Sequence, residues 1–384
     1  MLKLRTLAAG IAATAAVAMV ATAAVPALAD PPGEIHPAAF AIVGVGANTD
    51  ENLFNALTGS YNATIAHPSA ARPHVYSFNA TLPGSTSTAI QHIEPKIGCS
   101  AKTVRPNGSG AGLKALDQNA KAGKTGDYCI DFSRSSSSRS SSAPAPGKGG
   151  VSYVALATDA VTYATRDTGA TKTVPATYAP KSLTLAQLRA IFLCKDTNWS
   201  QGGLGGPNQP IKAYLPQTSS GTYSFWIKKL GITAQGSCVN VTLEENQGLS
   251  KQFNSPNAIF IYSVADWIAQ KYHSPLAGKK PTAAQNKFGT DQIGYLGLNK
   301  IAGISPITAA KVPTINTAFK KTGFTRTIYD VVRWTAGTPG NLPKALVPFF
   351  ASKASKGYVC SNKTAIAEIA DYGFLPTASC GSAS

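Results

Sequence analysis

Four short segments carry residue types that hold an oxyanion through neutral dipoles. They are Gly44-Val-Gly46-Ala47-Asn48-Thr49, Asn107-Gly108-Ser109-Gly110-Ala-Gly112, Asp131-Phe-Ser133-Arg134-Ser135-Ser136 and Gln217-Thr218-Ser219-Ser220-Gly221-Thr222. The first, second and fourth run from a turn into a predicted helix; the third follows the apolar Tyr128-Cys129-Ile130. A helix start presents up to four unpaired N–H groups and a partial positive charge, so it favours an anion. Glycine lets the backbone approach closely, and hydroxyls add donors without adding charge. Ser, Thr or Asn before a single helix is equally well an ordinary cap. Four such turns in one chain point to a shared site.

Other chemistries have little behind them. There is no GxSxG elbow, HExxH pair or GxxxxGK[ST] loop, so an enzyme is not expected. The five histidines (36, 67, 74, 92 and 273) show no metal-ligand spacing, and no cofactor is expected. Glu244 and Glu245 are adjacent and would point to opposite sides of a strand, which argues against a paired general acid and base. Trp226 and Trp267 lie among apolar neighbours and read as core more than as a sugar-stacking strip. The charge balance is basic, 35 Lys and Arg against 18 Asp and Glu. Such a field attracts anions generally. The basic residues are scattered rather than clustered into a tail, so nucleic acid is not an expected partner.

Short apolar runs alternate with amphipathic stretches, the pattern of an α/β fold. Phe40–Gly44 reads as a buried strand and Thr49–Leu57 as a helix with Leu53, Phe54 and Leu57 on one face. Ser182-Leu-Thr184 opens a helix over 185–192; 211–215 is a strand and 223–230 a helix. Residues 258–262 form another strand, followed by a helix through Gln270. The Ser-, Pro- and Gly-rich stretch 133–150 reads as a linker or loop, and 274–287 as a second. If the chain crosses between lobes at both, residues 30–150 plus 275–384 form one lobe and 151–274 the other.

The N-terminus has the layout of a secretory signal peptide: Lys3 and Arg5, an apolar run from Leu7 to Leu28, and small residues around a cleavage point near Ala29. The expected mature protein, from Asp30 onward, is secreted or cell-surface associated and carries about +15. Six cysteines suit an oxidising compartment and allow fifteen connectivities. Neighbour pairing is expected (Cys99–Cys129, Cys194–Cys238, Cys360–Cys380), because each bond would staple one local unit.

The segments resemble motifs of the phosphate-binding component of ABC transporters, in the type II periplasmic-binding-protein superfamily. Its GAGAT loop is matched by Gly44–Asn48, GSGGGIK by Gly108–Lys114, VDFGASD by Ile130–Ser136 and DGSGT by Thr218–Thr222. Residues 183–188, 197–199 and 257–263 resemble flanking family segments, so the likeness spans about 40–300. It implies a two-lobed clamshell, each lobe a mixed sheet flanked by helices, working as a monomer. The ligand would be phosphate or a related oxyanion, held by Ala47, Asn48, Thr49, Ser109, Ser135, Ser136, Ser219, Ser220, Gly221 and Thr222, and a membrane permease would be the partner. The family's Asp in VDFGASD is Ser136 here; its Arg before DGSGT is Pro216, and that motif's Asp is Thr218. Arg134 is a candidate replacement guanidinium. The competing expectation is a wall-associated adhesion protein that keeps the clamshell and binds acidic polymer through its basic surface.

Overall fold

The computed structural model describes residues 30, 36–82, 90–117, 128–139, 150–273, 293–335, 338, 342–350 and 357–384. The signal segment, most of the Ser-rich stretch and the loop-rich stretch 274–287 lie outside them. Ten strands make one mixed sheet: β1 (Ile42–Gly46), β2 (Val75–Ser77), β3 (Phe132–Ser135), β4 (Val151–Arg166), β5 (Lys212–Pro216), β6 (Asn240–Leu243), β7 (Ala258–Ser263), β8 (Leu296–Leu298), β9 (Thr325–Arg333) and β10 (Leu375–Pro376). Their order is β2-β1-β3-β9-β4-β7-β5-β6, with β8 and β10 also paired to β4. The longer helices are α1 (Glu51–Asn62), α2 (Ser109–Asp117), α3 (Leu185–Phe192), α4 (Gly221–Leu230), α5 (Val264–Ile268) and α6 (Lys363–Asp371).

The sheet is organised by β4, a 16-residue strand that at ~3.3 Å per residue runs the length of the molecule. Its β-branched and small residues are buried on both faces, as a central strand requires. Residues 151–160 pair antiparallel with β9, and 161–166 pair antiparallel with β7 and β8. On one side of β4 lie β1, β2 and β3, mutually parallel; on the other lie β5, β6 and β7, also parallel. The two strand groups are the cores of two lobes, and β4 belongs to both.

Parallel strands need helical crossovers, and these supply the turns of interest. β1 leads into α1 and β5 into α4, each at the carboxyl end of its strand. Helix α3 begins where sequence reading puts it, through a capping box between Thr184 and Gln187. Helix α4 has Ser220 as N-cap and ends on left-handed Gly231. Its inner face is anchored by buried Trp226, packed edge-on against Phe192 of α3 at 5.6 Å between centroids. Trp199 and Trp267 are also buried, which removes most of any aromatic surface strip.

Three disulfides join Cys99 to Cys129, Cys194 to Cys238 and Cys360 to Cys380. Three features depart from the sequence reading. Residues 133–135, expected in a linker or loop, belong to strand β3, where they pair with β1 and β9. The first strand is shifted two residues later, to 42–46, because Gly44 and Gly46 must sit inside it. A Cβ on Gly44 would lie 2.0 Å from the Phe132 ring, so only glycine lets β1 and β3 meet there. The helix after β7 continues beyond Gln270 as a π-turn over Ala269–His273.

Candidate functional site

The starts of α1 and α4 face one another across the two strand groups. Thr49 Oγ1 and Thr222 Oγ1 are 3.4 Å apart, although 173 positions separate them. Both residues, with Asn48 and Ser220, are buried. Positive-φ Gly46 makes the tight turn out of β1, and Gly112 of α2 packs so closely that a Cβ would lie 2.6 Å from the Gly46 Cα. The second turn is latched to the fourth: Gly110 N–H donates to Ser219 C=O at 3.0 Å, and Ser219 Oγ donates to Asn107 C=O at 3.1 Å.

Gly221 closes the ring. A Cβ there would lie 2.3 Å from Ser136 Oγ, 2.4 Å from Ser109 Oγ and 2.8 Å from Ser137 Oγ. Ser109 and Ser136 are themselves joined, Ser136 N–H donating to Ser109 Oγ at 3.0 Å. All four predicted turns therefore converge on one small buried volume.

Between the first and fourth turns lies a carboxylate that carried no motif. Glu245 Oε1 accepts from Asn48 N–H (3.1 Å), Thr49 N–H (2.9 Å) and Thr49 Oγ1 (3.0 Å). Its Oε2 accepts from Ser220 Oγ, which in turn accepts from the Thr222 and Tyr223 N–H groups as helix cap. The neighbours of Glu245 reinforce the closure. Glu244 Oε2 accepts from Asn107 Nδ2 at 2.7 Å, and Asn246 Nδ2 donates to Glu51 at 3.0 Å. The expectation that Glu244 and Glu245 point apart on a strand fails for a simple reason. β6 ends at Leu243, and the chain turns so that 244–246 all meet the opposite lobe.

The guanidinium at the site is Arg326, not Arg134. Arg326 Nη2 donates to Thr222 Oγ1 at 2.9 Å and lies 3.3 Å from Thr49 Oγ1; it is ion-paired at 2.9 Å with Asp159 of β4. Arg326 Nη1 is buried and has no hydrogen-bond partner among the described residues; the same is true of the Asn48 side-chain amide. Arg134 is fully buried behind the first turn. Its Nε donates to Ala47 C=O at 3.0 Å and its Nη1 to Ser77 Oγ. Nearby are Asp50, 3.7 Å away, and Asp330 across the β3–β9 ladder.

Two further expected ligands are committed elsewhere. Ala47 gives its N–H to Arg134 C=O at 3.1 Å. Ser135 Oγ turns to Ser137, donating to its C=O and accepting from its N–H. Ser219 acts as the latch already described. Asn48, Thr49, Ser109, Ser136, Ser220, Gly221 and Thr222 remain at the convergence point. Arg326 carried no motif; its one sequence signal is a charge inside the β-branched run Thr325–Arg333, which must be paired if that strand is buried.

Electrostatically, the site is a donor cluster backed by buried acids. Desolvation pushes the Asp50 carboxyl up to about 7, against the pull of Arg134. Asp330 is raised well above the ordinary carboxyl range by burial and by Asp50. Glu244 is raised by burial, Asn107 opposing.

Residues 81–354 match the family described as the PBP superfamily domain. The chain belongs to that superfamily. Its fold is the two-lobed clamshell. Among solved structures it is similar to one from Clostridium perfringens described as a phosphate ABC transporter substrate-binding protein with bound phosphate. The TM-score is 0.54 at 15% identity, covering 88% of this chain and 99% of that one. An ABC-type phosphate transport receptor from Vibrio cholerae matches with a TM-score of 0.48 at 14% identity, over 87% and 99% of the two chains. PstS from Borrelia burgdorferi matches with a TM-score of 0.42 at 15% identity, over 87% and 98%. No curated protein sequence matches. Among the described residues, no helix is long and apolar enough to cross a membrane.

Proposed function

We propose that the chain is an exported solute-binding protein that captures phosphate or a related oxyanion between its lobes for ABC-type uptake. One observation carries this reading: backbone amides in the turn before one helix and the cap hydroxyl of another, from opposite lobes, already hold an oxyanion group. That group is the Glu245 carboxylate, with donors at 2.9–3.1 Å from Asn48 and Thr49 and a further bond from Ser220. Arg326 adds a full positive charge beside the same hydroxyls. The superfamily membership supports the reading, and the phosphate named for the solved relatives indicates the first ligand to test.

Solute that touches both lobes stabilises the closed state, because those contacts exist only when the lobes meet. The closed form would be what a membrane permease recognises. In place of the 151–274 division expected from the sequence, we propose that the second lobe runs from about 161 to 322. The supporting pairings are β7 and β8 with the end of β4, and Lys300–Ile301 with Ser182–Leu183. The protein is expected to act outside the cytoplasm as a monomer after cleavage near Ala29.

The test is calorimetry of the mature protein, unfolded and refolded to strip any carried ligand, against phosphate, sulfate and polyphosphate. One saturable site is expected. It should be lost in Ser220→Ala/Thr222→Ala with the fold intact by circular dichroism. Absence of saturable binding, or equal binding by the double variant, would refute the site.

A further inference from the structure

Glu245 occupies the donor set that the proposed ligand would need. The oxygens of a carboxylate and the unprotonated oxygens of an inorganic oxyanion are both acceptors, so they compete for the same N–H and O–H hydrogens. In a buried site two anions also repel, and one must leave or take up a proton. The carboxylate is not a loose surface group that strayed inward. Glu245 is buried and bonded to both lobes, and Glu244 and Asn246 on either side of it reach Asn107 and Glu51 of the opposite lobe. Residues 244–246 therefore act together as a clasp.

Resting on the oxyanion reading above, we infer that Glu245 is a tethered competitor. It holds the lobes closed in the absence of solute, and an external oxyanion enters only by displacing it. The clasp contacts through Asn107 and Glu51 are made by the same turn, so withdrawal of Glu245 loosens the whole latch. The lobes open, take up the anion at the amides of Asn48 and Thr49, and reclose on it with Ser220 and Arg326.

The exchange sets a ligand class. A monocarboxylate reproduces Glu245 without its advantage of being attached, and an attached group competes at an effective concentration of ~1 mM or more. A tetrahedral dianion brings more acceptors and more charge. Its acceptors can also take hydrogen bonds from Arg326 Nη1 and Asn48 Nδ2, which Glu245 leaves without partners. The site therefore takes tetrahedral dianions and rejects small carboxylic acids.

The experiment compares the mature wild-type chain with Glu245→Gln and Glu245→Asp by calorimetry against inorganic phosphate, sulfate and acetate. Small-angle scattering of each protein without ligand accompanies it. Gln places an N–H₂ among donors and Asp falls one methylene short, so both weaken the clasp; Asp keeps the charge and the polar surface if Gln fails to fold. Phosphate should bind about 10- to 100-fold tighter to the variants, because the occluded population no longer taxes affinity. Ligand-free variants should be more open than ligand-free wild type, and acetate should not bind wild type. Equal or weaker phosphate binding by variants, while wild type binds, overturns the competitor role and leaves the oxyanion reading standing. Wild-type scattering that is open without ligand and closes with phosphate also overturns it. No binding by any of the three proteins overturns the oxyanion reading itself.

Discussion

Asp330 lies directly across the β3–β9 ladder from Arg134, yet neither of its carboxylate oxygens has a hydrogen-bond partner among the described residues. Asp50 occupies the same buried neighbourhood, 3.7 Å from the Arg134 Nε, and it too lacks a hydrogen bond to either side-chain oxygen. One guanidinium thus faces two acids behind the first turn. A buried charge that is only partly compensated favours its neutral form, so this trio carries protons that an unfolded chain would release.

Stability should therefore fall as pH rises. Asp50 is pushed up to about 7 and Asp330 well above its usual range, chiefly by desolvation; Asp131 and Asp159 are shifted the same way. Between about pH 4 and 7 the native state binds more protons than the unfolded one, so stability present at low pH is lost on going up through 7. The melting temperature should drop from pH 5 to pH 8. Asp330→Asn should flatten that slope and stabilise the protein at pH 8 by about 1–3 kcal/mol, the range for one unsatisfied buried group. A wild-type melting temperature that rises over this interval would contradict the assignment.

Gly221→Ala should leave α4 intact and block full closure. Alanine is the better helix former, but its methyl would stand 2.3 Å from Ser136 Oγ and 2.4 Å from Ser109 Oγ. The expected result is a more extended particle by small-angle scattering. Phosphate affinity should be reduced at least about tenfold, or ~1.4 kcal/mol. Unchanged affinity would mean that the Ser109–Ser136 side of the ring does not have to meet α4.

The Cys194–Cys238 bond ties the end of α3 to the segment before β6, across a sequence separation of 44. Constraining a loop of that length in the unfolded chain is worth up to about 4 kcal/mol on the chain-entropy account. Replacing both cysteines by alanine should lower stability by about 2–4 kcal/mol in denaturant titrations while sparing anion binding, since neither cysteine touches the site. A variant equally stable but unable to bind would reverse that ranking of roles.

The parts of the fold and site that are legible in the sequence are those whose signals are local. Three of the four turns are local: glycine and hydroxyl residues next to a helix start announce themselves by composition. The third segment joins them from the end of strand β3. The disulfides follow from chain neighbourhood. Arg326 and Glu245 were not legible, because each acquires its role through partners about 100 to 280 positions away: Asp159, Thr222 and Thr49 for the arginine, Asn48 and Thr49 for the glutamate. Strand β4 was missed for another reason. Its run is longer and more uniformly buried than the alternation that marks an ordinary half-exposed strand. Arg134 was visible as a charge in a Ser-rich stretch, but its direction depends on β3 pairing with β1, which turns it toward Ala47 and Ser77.

Arg326 offers a test of the positive charge beside the site, provided its structural partner is handled too. Removing the arginine alone would strand the fully buried Asp159, and breaking such a pair costs about 3–5 kcal/mol, so lost binding could be lost folding. Asp159 also accepts from Ser263 Oγ at 2.9 Å and Ala265 N–H at 3.2 Å, holding the start of α5. Asparagine can keep both bonds through its amide oxygen. Arg326→Met/Asp159→Asn should therefore fold, with the methionine filling most of the arginine's volume. Hydrogen bonds to charged groups are worth about 1.5–3 kcal/mol, so phosphate affinity should fall by about 10- to 150-fold. Asp159→Asn alone should bind phosphate at least as tightly as wild type, because it frees the guanidinium from its carboxylate. Equal affinity in the double variant and wild type would remove Arg326 from the site.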